Sequence, residues 1–164
     1  MKLLFKQEIA KLTANTSVFD ENEEVVFSLK MHMGFKHKRD LLDKDGNKVA
    51  EIEKDAIAGH KHTIEIDGEK YHLTRGGKAA VSTFEVAPLD WSVKCTHMGQ
   101  TFTITDKNGK IIAEKEEGNA IFGFGRFAIN IPEDANVVLA TAIYFATMDI
   151  IIMEDAYAHS AMRY

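Results

Sequence analysis

Up to Ile131 the chain reads as short stretches in which apolar and polar side chains alternate: Val25-Val-Phe-Ser-Leu, Lys48-Val-Ala-Glu-Ile, Thr63-Ile-Glu-Ile, Lys70-Tyr-His-Leu-Thr, Thr101-Phe-Thr-Ile-Thr and Arg126-Phe-Ala-Ile-Asn-Ile. Alternation of period two sends every second side chain to one sheet face, the pattern of strands in an antiparallel sandwich or barrel. Asp45-Gly46, Asp67-Gly68 and Asn108-Gly109 lie between such stretches and predict two-residue hairpin turns with glycine at positive φ. Asp20-Glu-Asn-Glu predicts a further turn. Asn136 to Met153 (NVVLATAIYFATMDIIIM) breaks the pattern as an apolar run whose only charge is Asp149. As a helix rising 1.5 Å per residue it would span about 27 Å, enough to cross a bilayer or to thread a barrel.

Three features favour the barrel. Asp149 would be costly in lipid, by about 2.5–3.5 kcal/mol on insertion scales. The flanks Glu133-Asp134 and Glu154-Asp155 are acidic, with no Lys/Arg cluster to orient a span. Ala140, Thr141, Ala142, Ala146 and Thr147 are small enough for close packing against surrounding strands. A helix apolar on all sides is a buried one, here in protein. The expectation is a helix over about 133–153 and no stable transmembrane span, with Pro132, Glu133 and Asp134 forming its first turn.

The two halves of the chain repeat one another. Leu42-Asp-Lys-Asp-Gly-Asn-Lys-Val-Ala-Glu51 aligns with Thr105-Asp-Lys-Asn-Gly-Lys-Ile-Ile-Ala-Glu114, and at the same offset Ile64 and Ile66 fall on Phe127 and Ile129. Upstream, His32-Met33-Gly34 matches His97-Met98-Gly99 at an offset two residues longer. Turn residues and core alternation stay in register, which predicts two meanders of like topology over about 25–68 and 88–131.

The doubled Asp-x-Asp/Asn-Gly-x-x-Val/Ile-Ala-Glu, followed by an acidic turn into a long apolar helix ending near an Asp, resembles the LURP-one-related family. The likeness runs from Phe5 to about Met153. That family shares the tubby C-terminal fold with the phospholipid scramblases. The resemblance implies a mainly β protein: a closed antiparallel barrel of about twelve strands, in two similar halves, around a buried C-terminal hydrophobic helix. It assigns no activity, because a fold hosts many functions.

At 164 residues the chain is expected to be a single domain, 1–164, with a sizeable core. A net charge of −5 works against nucleic-acid binding, which needs a positive field. The lone Cys95 allows no internal disulfide and fits a reducing compartment. Met1-Lys-Leu-Leu-Phe-Lys-Gln holds too short an apolar stretch for a signal peptide, so the expected location is cytoplasmic.

Candidate chemistry is sparse. The seven histidines include His32, His37, His60, His62, His72 and His97, but their spacing supplies no set of three or four converging ligands. They are read as strand and surface residues; an enzyme would need His32, His37, His60, His62 or His97 to meet a carboxylate at a barrel end. Cys95 is read as a small buried strand residue, and Gly123-x-Gly125 precedes a strand rather than a phosphate-binding helix. Trp91, Phe27, Phe84, Phe102, Phe122, Phe124 and Phe127 read as core-facing. No catalytic residue, metal or cofactor is expected. Basic residues gather in Phe35-Lys-His-Lys-Arg39, Gly59-His-Lys-His62 and Arg75-Gly-Gly-Lys78. Tubby domains bind phosphoinositide headgroups through surface Lys and Arg, and no residue of that site carries over onto this chain. Lys36, Lys38 and Arg39 are the candidate contact for an anionic partner, a lipid headgroup or a protein. The competing reading is a scramblase-like membrane protein anchored by the apolar run.

Overall fold

The computed structural model describes residues 1–6, 16–32, 38–55, 61–76, 81–96, 101–116 and 126–161. Its strands are β1 (Lys2–Lys6), β2 (Thr16–Phe19), β3 (Val25–Met31), β4 (Lys38–Asp43), β5 (Lys48–Lys54), β6 (Lys61–Ile66), β7 (Glu69–Arg75), β8 (Val81–Ala87), β9 (Trp91–Thr96), β10 (Phe102–Thr105), β11 (Ile111–Lys115) and β12 (Arg126–Asn130), and they are followed by helix α1 (Val137–Ala161). Each strand pairs antiparallel with the next, and β12 pairs with β1 to close a twelve-stranded barrel. Alternate side chains (Leu3, Phe5, Leu41, Ile64, Leu73, Phe84, Val93, Ile104) point inward and are buried against α1. The inner wall also takes Phe27 and Phe102, while Phe127 and Trp91 pack half-buried against it; Phe122 and Phe124 lie outside the described residues.

The connections β2–β3, β4–β5, β6–β7, β8–β9 and β10–β11 gather at one end, the turn end; the opposite strand termini form the far rim. Asp67-Gly68 is the two-residue turn expected of it, with φ of 51° and 82° and Ile66 facing Glu69 across it. The other two glycine turns differ. Asp43 N–H donates to Asn47 O and Asp106 N–H to Lys110 O, so each loop holds three residues, with Gly46 (φ 84°) and Gly109 (φ 82°) in third place. The cause is the aspartate that opens each loop. Asp43 Oδ1 accepts the amides of Asp45 and Asn47, and Asp106 Oδ1 those of Asn108 and Lys110, tying down the wider loop. The turn at Asp20 is built alike, with Glu23 at φ 62°. Each of the three is flanked by a register shift between its two strands, at Val18/Phe19, Leu41/Leu42 and Ile104/Thr105. The repeated sequence thus specifies a repeated turn, and β3–β6 and β9–β12 follow the same strand order.

The helix begins later than the sequence led one to expect. Ala135 N–H bonds Pro132 O in a turn, Asp134 pairs with Lys110, and Asn136 Oδ1 caps α1 by accepting Leu139 N–H at 3.0 Å. The acids therefore stand outside the first helical turn, and the helix continues beyond Met153 to Ala161. Inside the barrel Leu139, Ala140, Ala142, Ile143, Phe145, Ala146 and Ile150 are closed off from solvent. Among the described residues no helix is long and apolar enough to cross a membrane.

Candidate functional site

At the far rim, the polar core of the barrel joins two strands to the helix. The alternation that puts Leu41 and Ile64 inside also turns Arg39 on β4 and His62 on β6 inward. Asp149 on α1 meets both: Arg39 Nη2 donates to Oδ1 at 2.5 Å, and His62 Nε2 lies 2.8 Å from Oδ2. The side chains are 7%, 1% and 13% exposed for Arg39, His62 and Asp149, so the charges are removed from water and must satisfy one another. Burial pushes the Asp149 carboxyl up, but the His62 hydrogen bond and the Arg39 charge outweigh it and hold the group below its ordinary range. Both carboxylate oxygens are engaged. The arrangement is suited to fixing the helix against β4 and β6. His62 Nδ1 and Thr147 Oγ1, also buried, have no hydrogen-bond partner.

This geometry divides the expected anionic contact. Lys36 lies outside the described residues. Lys38 faces outward, bonded to Glu51 at 3.1 Å and close to Glu53 at 3.5 Å, and the Glu51 bond raises its pKa. Arg39, its neighbour, points to the opposite face of the strand, into the core. The outer contact expected at Arg39 is therefore corrected: adjacent strand residues cannot present both cations to one partner.

Two of the histidines named for an enzymatic alternative do meet a carboxylate, His62 at Asp149 on the far rim and His32 at Asp40, but the described histidines do not gather into one site. His32 bonds the outward Asp40 at 2.6 Å, His62 faces inward, and His72 sits beside Thr63 Oγ1 at 3.1 Å. His37, His60 and His97, like Lys78 and Gly123-x-Gly125, lie outside the described residues. Among the described residues no three His, Cys, Asp or Glu are placed to hold a metal ion. Cys95 is buried, and burial pushes its thiol up to about 12, far from nucleophilic use at neutral pH.

One residue, and the gathering of basic segments already noted at one rim, escaped the reading of the sequence. Lys115 ends β11 facing inward, its amine 4.5 Å above the Phe127 ring and its pKa lowered by burial. The consecutive strands β4, β5, β6 and β7 each place a cation at the far rim: Lys38, Lys54, Lys61 and Arg75. The turn end has the opposite bias. Asp20, Glu21, Glu23, Glu24, Asp43, Asp45, Asp106, Glu133 and Asp134 outweigh Lys44, Lys48, Lys107 and Lys110 there. Closure into a barrel turns a chain of scattered charges into one with two unlike ends.

A LURP-one-related family model matches residues 1–148, and the chain belongs to that family. With the closed barrel and its enclosed helix it is a tubby-like barrel protein. Comparison with curated proteins and with solved structures gave no match.

Proposed function

We propose, for a LURP-one-related barrel whose lumen is filled by its own helix, a cytoplasmic, non-catalytic role in binding an anionic partner on the outside of its far rim, with lipid headgroups as the first candidate. The supporting observation is that β4 and β6 bring Lys38 and Lys61 to the outer face of the far rim, with Lys54 and Arg75 on its inner face, opposite an acidic turn end that repels such a partner. α1 occupies the interior that a carried ligand would need. A scramblase-like role would need α1 as a membrane anchor, whereas its apolar surface is spent on the barrel wall.

Co-sedimentation with phosphatidylcholine vesicles, with and without anionic lipid, tests the reading. Binding should require the anionic lipid and weaken as salt shortens the screening length toward about 8 Å. The variant Lys36→Ala/Lys38→Ala/Lys61→Ala should bind roughly tenfold less or worse while keeping its thermal midpoint. Arg39 is kept intact because it belongs to the core. If the parent protein ignores anionic vesicles even at low salt, the lipid reading fails and a protein partner is the form left to pursue.

A further inference from the structure

We propose that the seam between β11 and β12 at the turn end is a docking groove for an extended, cationic peptide segment, held partly by strand addition. The barrel is unevenly closed. β1 and β12 stay paired from Lys2↔Asn130 to Lys6↔Arg126, but β11 and β12 share only Glu114↔Asn130 and Lys115↔Ile129, with Glu116 N–H reaching Ala128 O at 3.0 Å beyond them. Continuing that register toward the turn end sets Ile112 opposite Pro132, which has no N–H to give. Ile131 has already turned to the other side, exchanging hydrogen bonds of 2.8 and 2.7 Å with Met1. Ile112 also stands where the β10 register shifts. The backbone of β11 is thus an open edge inside a closed barrel, and such edges accept an added strand.

A groove of about 450 Å³ lies along this gap, lined by Ile111, Ile131, Pro132, Lys2, Glu21 and Glu114. Ile111 is 40% exposed, one of few large apolar residues left in solvent among those described. Lys2 is bound to Glu116 at 2.6 Å, and the Met1 ammonium, which also lines the groove, offsets one of Glu21 and Glu114, so the groove keeps a net negative charge of one and the neighbouring turns are acidic too. An extended segment alternates its side chains, which lets apolar residues cover Ile111 and Pro132 while basic ones meet the carboxylates. This surface is separate from the basic far rim.

Fluorescence anisotropy with a labelled hexapeptide amide, Lys-Val repeated three times, tests the proposal against Glu-Val repeated three times. The basic peptide should bind, with an affinity that falls as salt rises, and the acidic one should not. Glu114→Lys should weaken binding by about tenfold or more, and Ile111→Ser should weaken it as well. Both positions are exposed, and an unchanged thermal midpoint confirms that the fold survives. Strand addition should also slow hydrogen exchange at the Ile112 amide, with no change at Val49, its counterpart in the first half. Equal affinity for both peptides, indifference to Glu114→Lys, or unchanged exchange at Ile112 would each overturn the proposal. So would a concentration-dependent dimer that the peptide cannot dissociate, since the groove would then belong to a second copy of the chain.

Discussion

Asp149 interrupts an otherwise apolar helix, and Arg39 and His62 occupy its two oxygens. Removing the carboxylate leaves Arg39 charged and buried without compensation, so Asp149→Ala should cost about 3–5 kcal/mol in urea unfolding at neutral pH. Its folded-state pKa lies below the ordinary value, so the contribution is complete above the usual carboxylate range and fades as pH falls through the lowered value. The gap between parent and variant should therefore be full at pH 7 and narrow in strong acid. Replacing the whole group (Arg39→Met, His62→Leu, Asp149→Leu) should recover much of the loss, because apolar side chains of similar volume need no partners. A triple variant as unstable as Asp149→Ala would show that the network does more than hold the helix. The sequence exposed Asp149 as an anomaly but not its partners, because Arg39 stands 110 positions away. Strand alternation was enough to show that Lys38 and Arg39 could not share a face; the cluster of like charges concealed it.

Among the elements, legibility followed the range of the forces. The three-residue loops at Asp43 and Asp106 are closed by bonds within five consecutive residues, so the repeat was visible in sequence even though the loop type was not. The strands β3, β5, β6, β7, β10 and β12, with clean alternation, were legible too, and Cys95 was read as a strand residue in what proves to be β9, whereas β1, β2, β4 and β8 were not set out as strands. The start of α1 was misplaced because two local signals competed: Pro132 with its acids, and Asn136. Asp134 was drawn off by Lys110, a contact between elements, and Asn136 capped the helix instead. The small residues of α1 fared better. Ala142 is fully buried against the wall, so Ala142→Phe should overpack the lumen and cost about 1–3 kcal/mol or more. Thermal unfolding with an unchanged midpoint would mean that the barrel holds slack the packed helix does not suggest.

For the molecule as a whole, the helix is the core rather than an appendage to one. The inward row Phe5, Leu29, Leu41, Ile64, Leu73, Phe84, Val93, Phe102 and Ile104 is buried by a barrel too wide to fill with its own wall and completed by α1. A chain ending at Asn136 would keep every strand and both copies of the repeat yet open that row to water. At about 1.5–3 kcal/mol for each large apolar side chain exposed, the loss exceeds the roughly 5–15 kcal/mol that hold a domain folded. The truncated chain should therefore show no cooperative thermal transition, lose its near-ultraviolet circular dichroism and bind a hydrophobic dye. The twelve-strand closure describes the wall; this experiment asks whether the wall can stand without its filling. A shortened chain that melted cooperatively would mean that the strands form an independent barrel. The lumen would then be able to exchange its helix for another occupant, and the exterior would cease to be the necessary place to look for a ligand.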